Sequence, residues 1–400
     1  MSRPHALISG AGIAGPALAH QLAARGWRTT VVERFQQRRD EGHNIDVRGA
    51  AREVARRMGI EDDIRAANTT EVGMRFVNAD GSCAASFPLN GSGVSGPTAE
   101  LEILRGELSR ILLEHTRDNT EYRFDAQITA ATDHGDHVSA VLDNDTQIDA
   151  DLLVIAEGLR SRTRELVMPL AVTDLGMYIA YLTIPRLDSD DRWWNWQHVP
   201  GSRAIHLRPD NLGTTRAMLS FMSDVKGLED LDRADQIVIL RRTFADAGGA
   251  APRILAELDH APMYFDALGQ VRAPRWSNGR MVLLGDAAFC PSPVGGGGSS
   301  LALIGAYVLA GELAGSDNVS AALAGYEQFL RPHVAAAQNV RPVVLRRANP
   351  RTNFGIRVLH TGARVLASKP VRAGMGLAGR AFGSVAVEKL ALPNYRITSV

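Results

Sequence analysis

Three glycines at fixed spacing, Gly10-Ala-Gly12-Ile-Ala-Gly15, stand between a short apolar run and a longer apolar stretch at helical spacing. The run before them is Ala6-Leu-Ile-Ser9, and the stretch after them covers Pro16 to Ala24. In such a setting the first glycine permits a tight turn. The second lets the backbone approach a pyrophosphate, and the third allows close helix–strand packing. The helix N-terminus then favours an anion. Gly26 stops the helix, and Thr29-Thr-Val-Val32 reads as a β-branched strand ending at Glu33. A carboxylate there suits adenosine ribose hydroxyls and repels a 2′-phosphate. The opening is therefore a βαβ unit of a parallel sheet, built to hold a dinucleotide.

A chain of 400 residues is too long for one ordinary core and suits about two or three domains. Lys plus Arg and Asp plus Glu both number 44, so no global field attracts nucleic acid. The two cysteines, Cys83 and Cys290, build neither a disulfide framework nor a zinc site, and no metal is expected. No signal peptide and no apolar run of about 18 residues is found, so a cytoplasmic protein without a membrane span is expected.

Further along, helices are expected over Ala50 to Met58, Leu101 to His115, Gln236–Ala245 and Arg253–Leu258. Met74 to Phe87 reads as a hairpin turning at Asp80-Gly81. Three strands are expected between Tyr122 and Ile155. Runs at Tyr178–Ile184, Ala204–Leu207 and Thr215–Met222 suggest an antiparallel sheet. From Arg331 to Arg380 the chain holds ten Lys or Arg and no Asp or Glu. A basic amphipathic helix can lie on a membrane, but the favoured reading is a solvated face of helices that cap the core.

A second constellation separates the possible dinucleotides. Val282-Leu-Leu-Gly285-Asp286-Ala-Ala is followed by Pro293-Val-Gly-Gly296-Gly-Gly298-Ser-Ser and an apolar helix to Leu313. An Asp at the end of a strand accepts hydrogen bonds from sugar-alcohol hydroxyls such as a ribityl chain. A glycine-rich helix start presents N–H groups to a ring that becomes anionic on reduction. Together these favour FAD over NAD.

With the loop, this late segment and a middle segment, Glu157-Gly158-Leu-Arg-Ser161-Arg-Thr-Arg164, the chain resembles the FAD-dependent monooxygenases of the p-hydroxybenzoate hydroxylase type. It looks closest to the branch containing tetracycline-modifying monooxygenases. The family's motifs D-G-x-x-S-x-x-R and G-D-A-A-H-x-x-x-P-x-x-G-x-G occur here in order, and the likeness spans roughly residues 5 to 330. It implies FAD contacts from Gly10, Gly12, Ile13, Ala14, Gly15, Glu33, Arg34, Asp46, Arg105, Glu157, Gly285, Asp286, Pro293, Gly296 and Gly298. Within that set Glu33 would hold the adenosine ribose, Asp286 the ribityl chain, and Asp46 the flavin ring. Arg39 sits where relatives contact the phosphates of NAD(P)H, a transient co-substrate. Departures are Glu157 for Asp, Phe289 for a His beside the flavin, and Ser300 and Gly305 for Asn and Asp.

The fold class expected is mixed α/β: a Rossmann-like FAD-binding domain, an antiparallel-sheet substrate domain and C-terminal helices. The FAD-binding domain would comprise 1–70, 98–170 and 270–335, the substrate domain 71–97 and 171–269, and the helical segment 336–400. His206 and Arg208 alternate on one strand, as do Met218 and Ser220 on another; with Phe289 they are the candidate pocket residues. The expected activity is NAD(P)H- and O₂-dependent hydroxylation of an aromatic or polyketide-like small molecule through a flavin C4a-hydroperoxide, in secondary metabolism or drug modification. The alternative is an oxidase, or a cyclase with structural FAD. Trp194-Asn-Trp196-Gln-His-Val-Pro200 nearly matches a flavin-halogenase element but has one residue too many before the proline. Cys290 reads as a small apolar filler. A monomer or homodimer is expected.

Overall fold

The computed structural model describes residues 3–40, 42–89, 101–291, 297–339, 342–368 and 390–395. Its first sheet has six strands in the order Ser277–Asn278, Met281–Leu283, Leu152–Ile155, His5–Ser9, Arg28–Glu33 and Thr120–Phe124. All neighbours run parallel except the Ser277–Asn278 edge. Every residue of His5–Ser9 is buried, as a central parallel strand covered on both faces requires. Helix Gly298–Ala314 is apolar almost all round and is held by helices Ala14–Ala23, Gly49–Arg57 and Val319–Ala337.

Between Thr120 and Ile155 the chain forms five strands rather than the expected three. Asp125, in the left-handed region at φ 55°, ends Thr120–Phe124. A separate antiparallel sheet of Ile128–Asp133, Val138–Leu142 and Gln147–Ala150 follows before Leu152–Ile155 rejoins the parallel sheet. The turns at His134-Gly135-Asp136 and Asp143-Asn144-Asp145 carry clear sequence signals, but the breaks at 125–127 and at Asp151 lack a glycine or proline to announce them.

The helix expected from Leu101 begins only at Arg105. Glu102–Leu104 is instead a buried strand, paired antiparallel with Asn44–Asp46 so that Asp46 faces Glu102. Arg105 therefore sits at the first position of the helix.

The second large sheet has seven strands in the order Met263–Gln270, Thr173–Pro185, Thr214–Met222, Arg203–Pro209, Trp193–Val199, Gly73–Val77 and Cys83–Pro88. The expected hairpin is there, with Gly81 at φ 81° in its turn. Trp193–Val199 and Met263–Gln270 were not foreseen as strands, because polar side chains interrupt their apolar pattern. In the first of them Gln197 is buried, and its amide donates to Ala247 O at 3.1 Å.

Period-two alternation divides this sheet into two faces. Tyr178, Ala180, Leu219 and Phe221 pack on helices Arg233–Phe244 and Ala251–Glu257. Met177, Ile179, Tyr181 and Met218 face the other way, toward Leu345 of helix Pro342–Ala348. No helix among the described residues is long and apolar enough to cross a membrane.

Candidate active site

A cavity of about 1080 Å³ runs from the glycine loop to the second face of the seven-stranded sheet. At one end the loop is closed by backbone contact. A Cβ on Gly10, at φ 111°, would fall 2.6 Å from Ala156 O, and one on Gly15 would fall 2.0 Å from Gly10 O. No other residue fits either position. Gly12 lies open to the cavity, and the Arg105 guanidinium stands 3.3 Å from where its Cβ would be. The bare backbone, the helix start and this arginine together make a site able to receive an anionic group.

Glu33 is held at the end of its strand by two backbone donors. Ala11 N donates at 2.8 Å and Phe35 N at 3.2 Å. Arg34 and Arg39 lie against the Phe35 ring at 4.8 and 4.6 Å, and Arg39 also faces Tyr264 at 4.8 Å. All four residues line the cavity.

Asp286 opens the short helix Asp286–Phe289 and lines the cavity. Burial pushes its carboxyl pKa up, and the nearby charges of Arg105 and Arg164 oppose that rise. Arg164 ties the middle and late motifs together: its Nε donates to Ala287 O at 2.7 Å and one Nη to Leu159 O at 2.6 Å. Glu157 has its carboxylate committed to protein partners. It accepts from Ser9 Oγ at 2.5 Å, from Ser161 Oγ at 2.8 Å and from Thr163 N at 3.2 Å. Its length, one methylene beyond Asp, is what spans these three elements.

Asp46 pairs with Arg48 at 2.7 Å on the strand Asn44–Asp46. Ser300 Oγ donates to Asp46 O at 3.2 Å, fastening that strand to helix Gly298–Ala314. Ile13, Ala14 and Gly298 also line the cavity. Gly285 shapes the turn before Asp286, and Pro293 and Gly296 lie outside the described residues.

The opposite wall comes from the seven-stranded sheet. Register sets Met218 against His206 on one side and Trp196 against it on the other. Trp194 Nε1 donates to His206 Nδ1 at 3.0 Å, and the two indoles stack at 5.7 Å. Burial drives the His206 pKa well below its ordinary value, so the ring is neutral. Ser220 lines the same wall. Arg208 does so too, but its Nε donates to Glu71 at 2.9 Å and one Nη to Glu102. Its guanidinium also covers the Trp194 ring at 4.0 Å.

Phe289 does not line the cavity. Its ring is 1% exposed and packs on Trp276 at 4.7 Å, beside the position a Cβ on Gly305 would take. The two departures are paired: a benzyl group fills the space that the missing side chain at 305 leaves. Cys290 is buried and borders the cavity.

Several lining residues were not singled out from sequence. They include His43, stacked on Tyr181 at 4.9 Å and pushed down to about 3 by burial, and Leu345 and Asn349 of the C-terminal part. Trp194 and Trp196 entered the sequence reading only through a near-match to a halogenase element, not as pocket residues. Their i, i+2 spacing beside His206 on the neighbouring strand was the available signal.

Residues 3–340 match the FAD binding domain family. The flavin-dependent monooxygenase eupH of Phoma sp is 38% identical over 389 residues, covering 89% of this chain and 90% of that protein. The crystal structure of tetracycline destructase Tet(55) superposes with a TM-score of 0.79 at 31% identity, covering 98% of this chain and 99% of that one. Tetracycline destructase Tet(51) gives 0.81 at 28% identity, over 98% and 100%. The chain belongs to the FAD-dependent monooxygenases of the p-hydroxybenzoate hydroxylase type.

Proposed function

We propose that this chain uses NAD(P)H and O₂ to hydroxylate an aromatic or polyketide-like small molecule. The observation that carries this reading is one continuous cavity. The glycine loop, Glu33 and Asp286 lie at one end, and a wall of Trp194, Trp196, His206, Met218 and Tyr181 at the other. When bound, FAD supplies the redox chemistry, taking reducing equivalents from NAD(P)H and activating O₂.

The residues of the chain have the work of holding, orienting and drying. Glu33 accepts hydrogen bonds from the adenosine ribose. Gly12 and Arg105 meet the pyrophosphate charge, and Asp286 accepts from the ribityl hydroxyls. Asp46 contacts the flavin ring, and Arg39, at the margin beside Tyr264, meets the phosphates of the nicotinamide cofactor. The indoles, Met218 and Tyr181 present flat apolar surface that orders a planar substrate and excludes water. Neutral His206 and Ser220 offer hydrogen bonds to substrate oxygens without a fixed charge. The likeness to tetracycline destructases supports a polycyclic substrate.

Phe289 gives the oxidase and cyclase readings little support, since its ring belongs to the core rather than to the cavity. The test is to screen aromatic and polycyclic compounds with the flavin-loaded protein for stimulated NAD(P)H and O₂ consumption. Stimulation by a subset of planar compounds is expected. Oxidation of NAD(P)H indifferent to every compound, with hydrogen peroxide as sole product, contradicts the proposal.

A further inference from the structure

The basic C-terminal region exposes apolar side chains among its polar ones. Nine large apolar side chains are exposed in the described chain, and four of them lie between residues 344 and 365. They are Val344 at 49%, Phe354 at 71%, Val358 at 55% and Val365 at 55% exposure. At about 100° per residue, Phe354, Val358, Thr361 and Val365 of helix Asn353–Ala367 fall in one ~60° stripe. The buried residues of that helix, Ile356, His360 and Ala363, lie on the opposite side. His360 donates or accepts at 3.1 Å with His198, which pins that inner face to strand Trp193–Val199. The outer stripe is therefore held outward by packing and is not a fraying end.

Charge says what would cover it. Arg357 and Arg364 are exposed along one edge of the stripe on its own helix, and Arg346, Arg347 and Arg351 are exposed in the segment that precedes it. Residues 331–380 contain ten Lys or Arg and no Asp or Glu, although the whole chain is neutral. An exposed apolar stripe in a segment, residues 342–368, whose only charged side chains are arginines matches a surface that is anionic on the outside and apolar just beneath.

We propose that helices Pro342–Ala348 and Asn353–Ala367 dock this protein on an anionic phospholipid surface. Phe354, Val358 and Val365 enter the acyl boundary, and the arginines meet phosphate headgroups. This is attachment to one leaflet and not a span. Helix Pro342–Ala348 turns Val344 to solvent and Leu345 into the cavity wall, so the docked face adjoins the cavity.

The test is co-sedimentation of the full flavin-loaded chain with phosphatidylcholine vesicles, with and without phosphatidylglycerol. Binding to the anionic vesicles and release by salt are expected. Each of Arg346→Gln and Arg347→Gln should weaken binding about fivefold. Phe354→Ser with Val358→Ser should weaken it more than tenfold. Neither pair should change the thermal midpoint or flavin content, because the replaced side chains are exposed. Three results would overturn the proposal. They are failure to sediment with anionic vesicles at low salt, sedimentation that the variants leave unchanged, and a concentration-dependent dimer that Phe354→Ser dissociates. The last would assign the stripe to a second copy.

Discussion

At Arg208 two buried carboxylates converge on one guanidinium. Glu71 and Glu102 each expose 1% of their side chains, and burial raises both carboxyl pKa values while Arg208 opposes the rise. Removing the cation strands the acids. Arg208→Ala should cost about 3–5 kcal/mol in chemical denaturation. It should also change the pH dependence. A carboxyl whose folded pKa lies above its ordinary value of 4.5 stabilises the fold below that value and loses the contribution as pH rises through the folded pKa. The variant should therefore lose stability above about pH 4.5 more steeply than the parent, and denaturation midpoints across pH will check it. A second residue-scale prediction concerns Asp286→Ala. It leaves the loop intact but removes the acceptor proposed for the ribityl chain, so FAD should bind about tenfold more weakly by fluorescence titration.

The elements show which parts of the site the sequence made legible and which it hid. The loop at Gly10 and the acid at Glu33 were legible because a close backbone contact and a strand end each demand a particular residue. Asp286 was legible through its strand–glycine–helix setting. The fate of Arg208 was not: alternation on its strand placed it on the cavity face, but its partners Glu71 and Glu102 come from distant parts of the chain. Phe289 was misplaced for the same reason, since the ring it packs on, Trp276, and the space beside Gly305 appear only after folding. The start of the helix at Arg105 was missed because Glu102-Ile-Leu104 is buried by strand pairing that no local pattern reveals. The pairing of Phe289 with Gly305 makes its own prediction. Phe289→Ala opens a void and should cost about 3–5 kcal/mol, whereas Gly305→Leu overpacks the same place and should cost about 1–3 kcal/mol. Thermal unfolding of the two variants will show whether both fall below the parent.

Across the whole molecule, a largely parallel sheet and a largely antiparallel sheet line one cavity, and polar contacts tie the second to the small sheet of Asn44–Asp46 and Glu102–Leu104. Asn44 Nδ2 donates to Pro209 O at 3.3 Å, and Arg208 reaches Glu102. The parallel sheet brings the glycine loop and Asp286 together from opposite ends of the chain, since Leu152–Ile155 joins His5–Ser9 to Met281–Leu283. The other sheet supplies the wall proposed to order a planar substrate. The proposed hydroxylation requires this enclosure to direct one atom of dioxygen to a bound aromatic compound. The most direct measurement is mass spectrometry of the product formed under isotopically labelled dioxygen, with a compound that stimulates NAD(P)H consumption. One labelled oxygen per product molecule is predicted. A product with no label, or labelled hydrogen peroxide with the compound unchanged, would rule out hydroxylation by this chain.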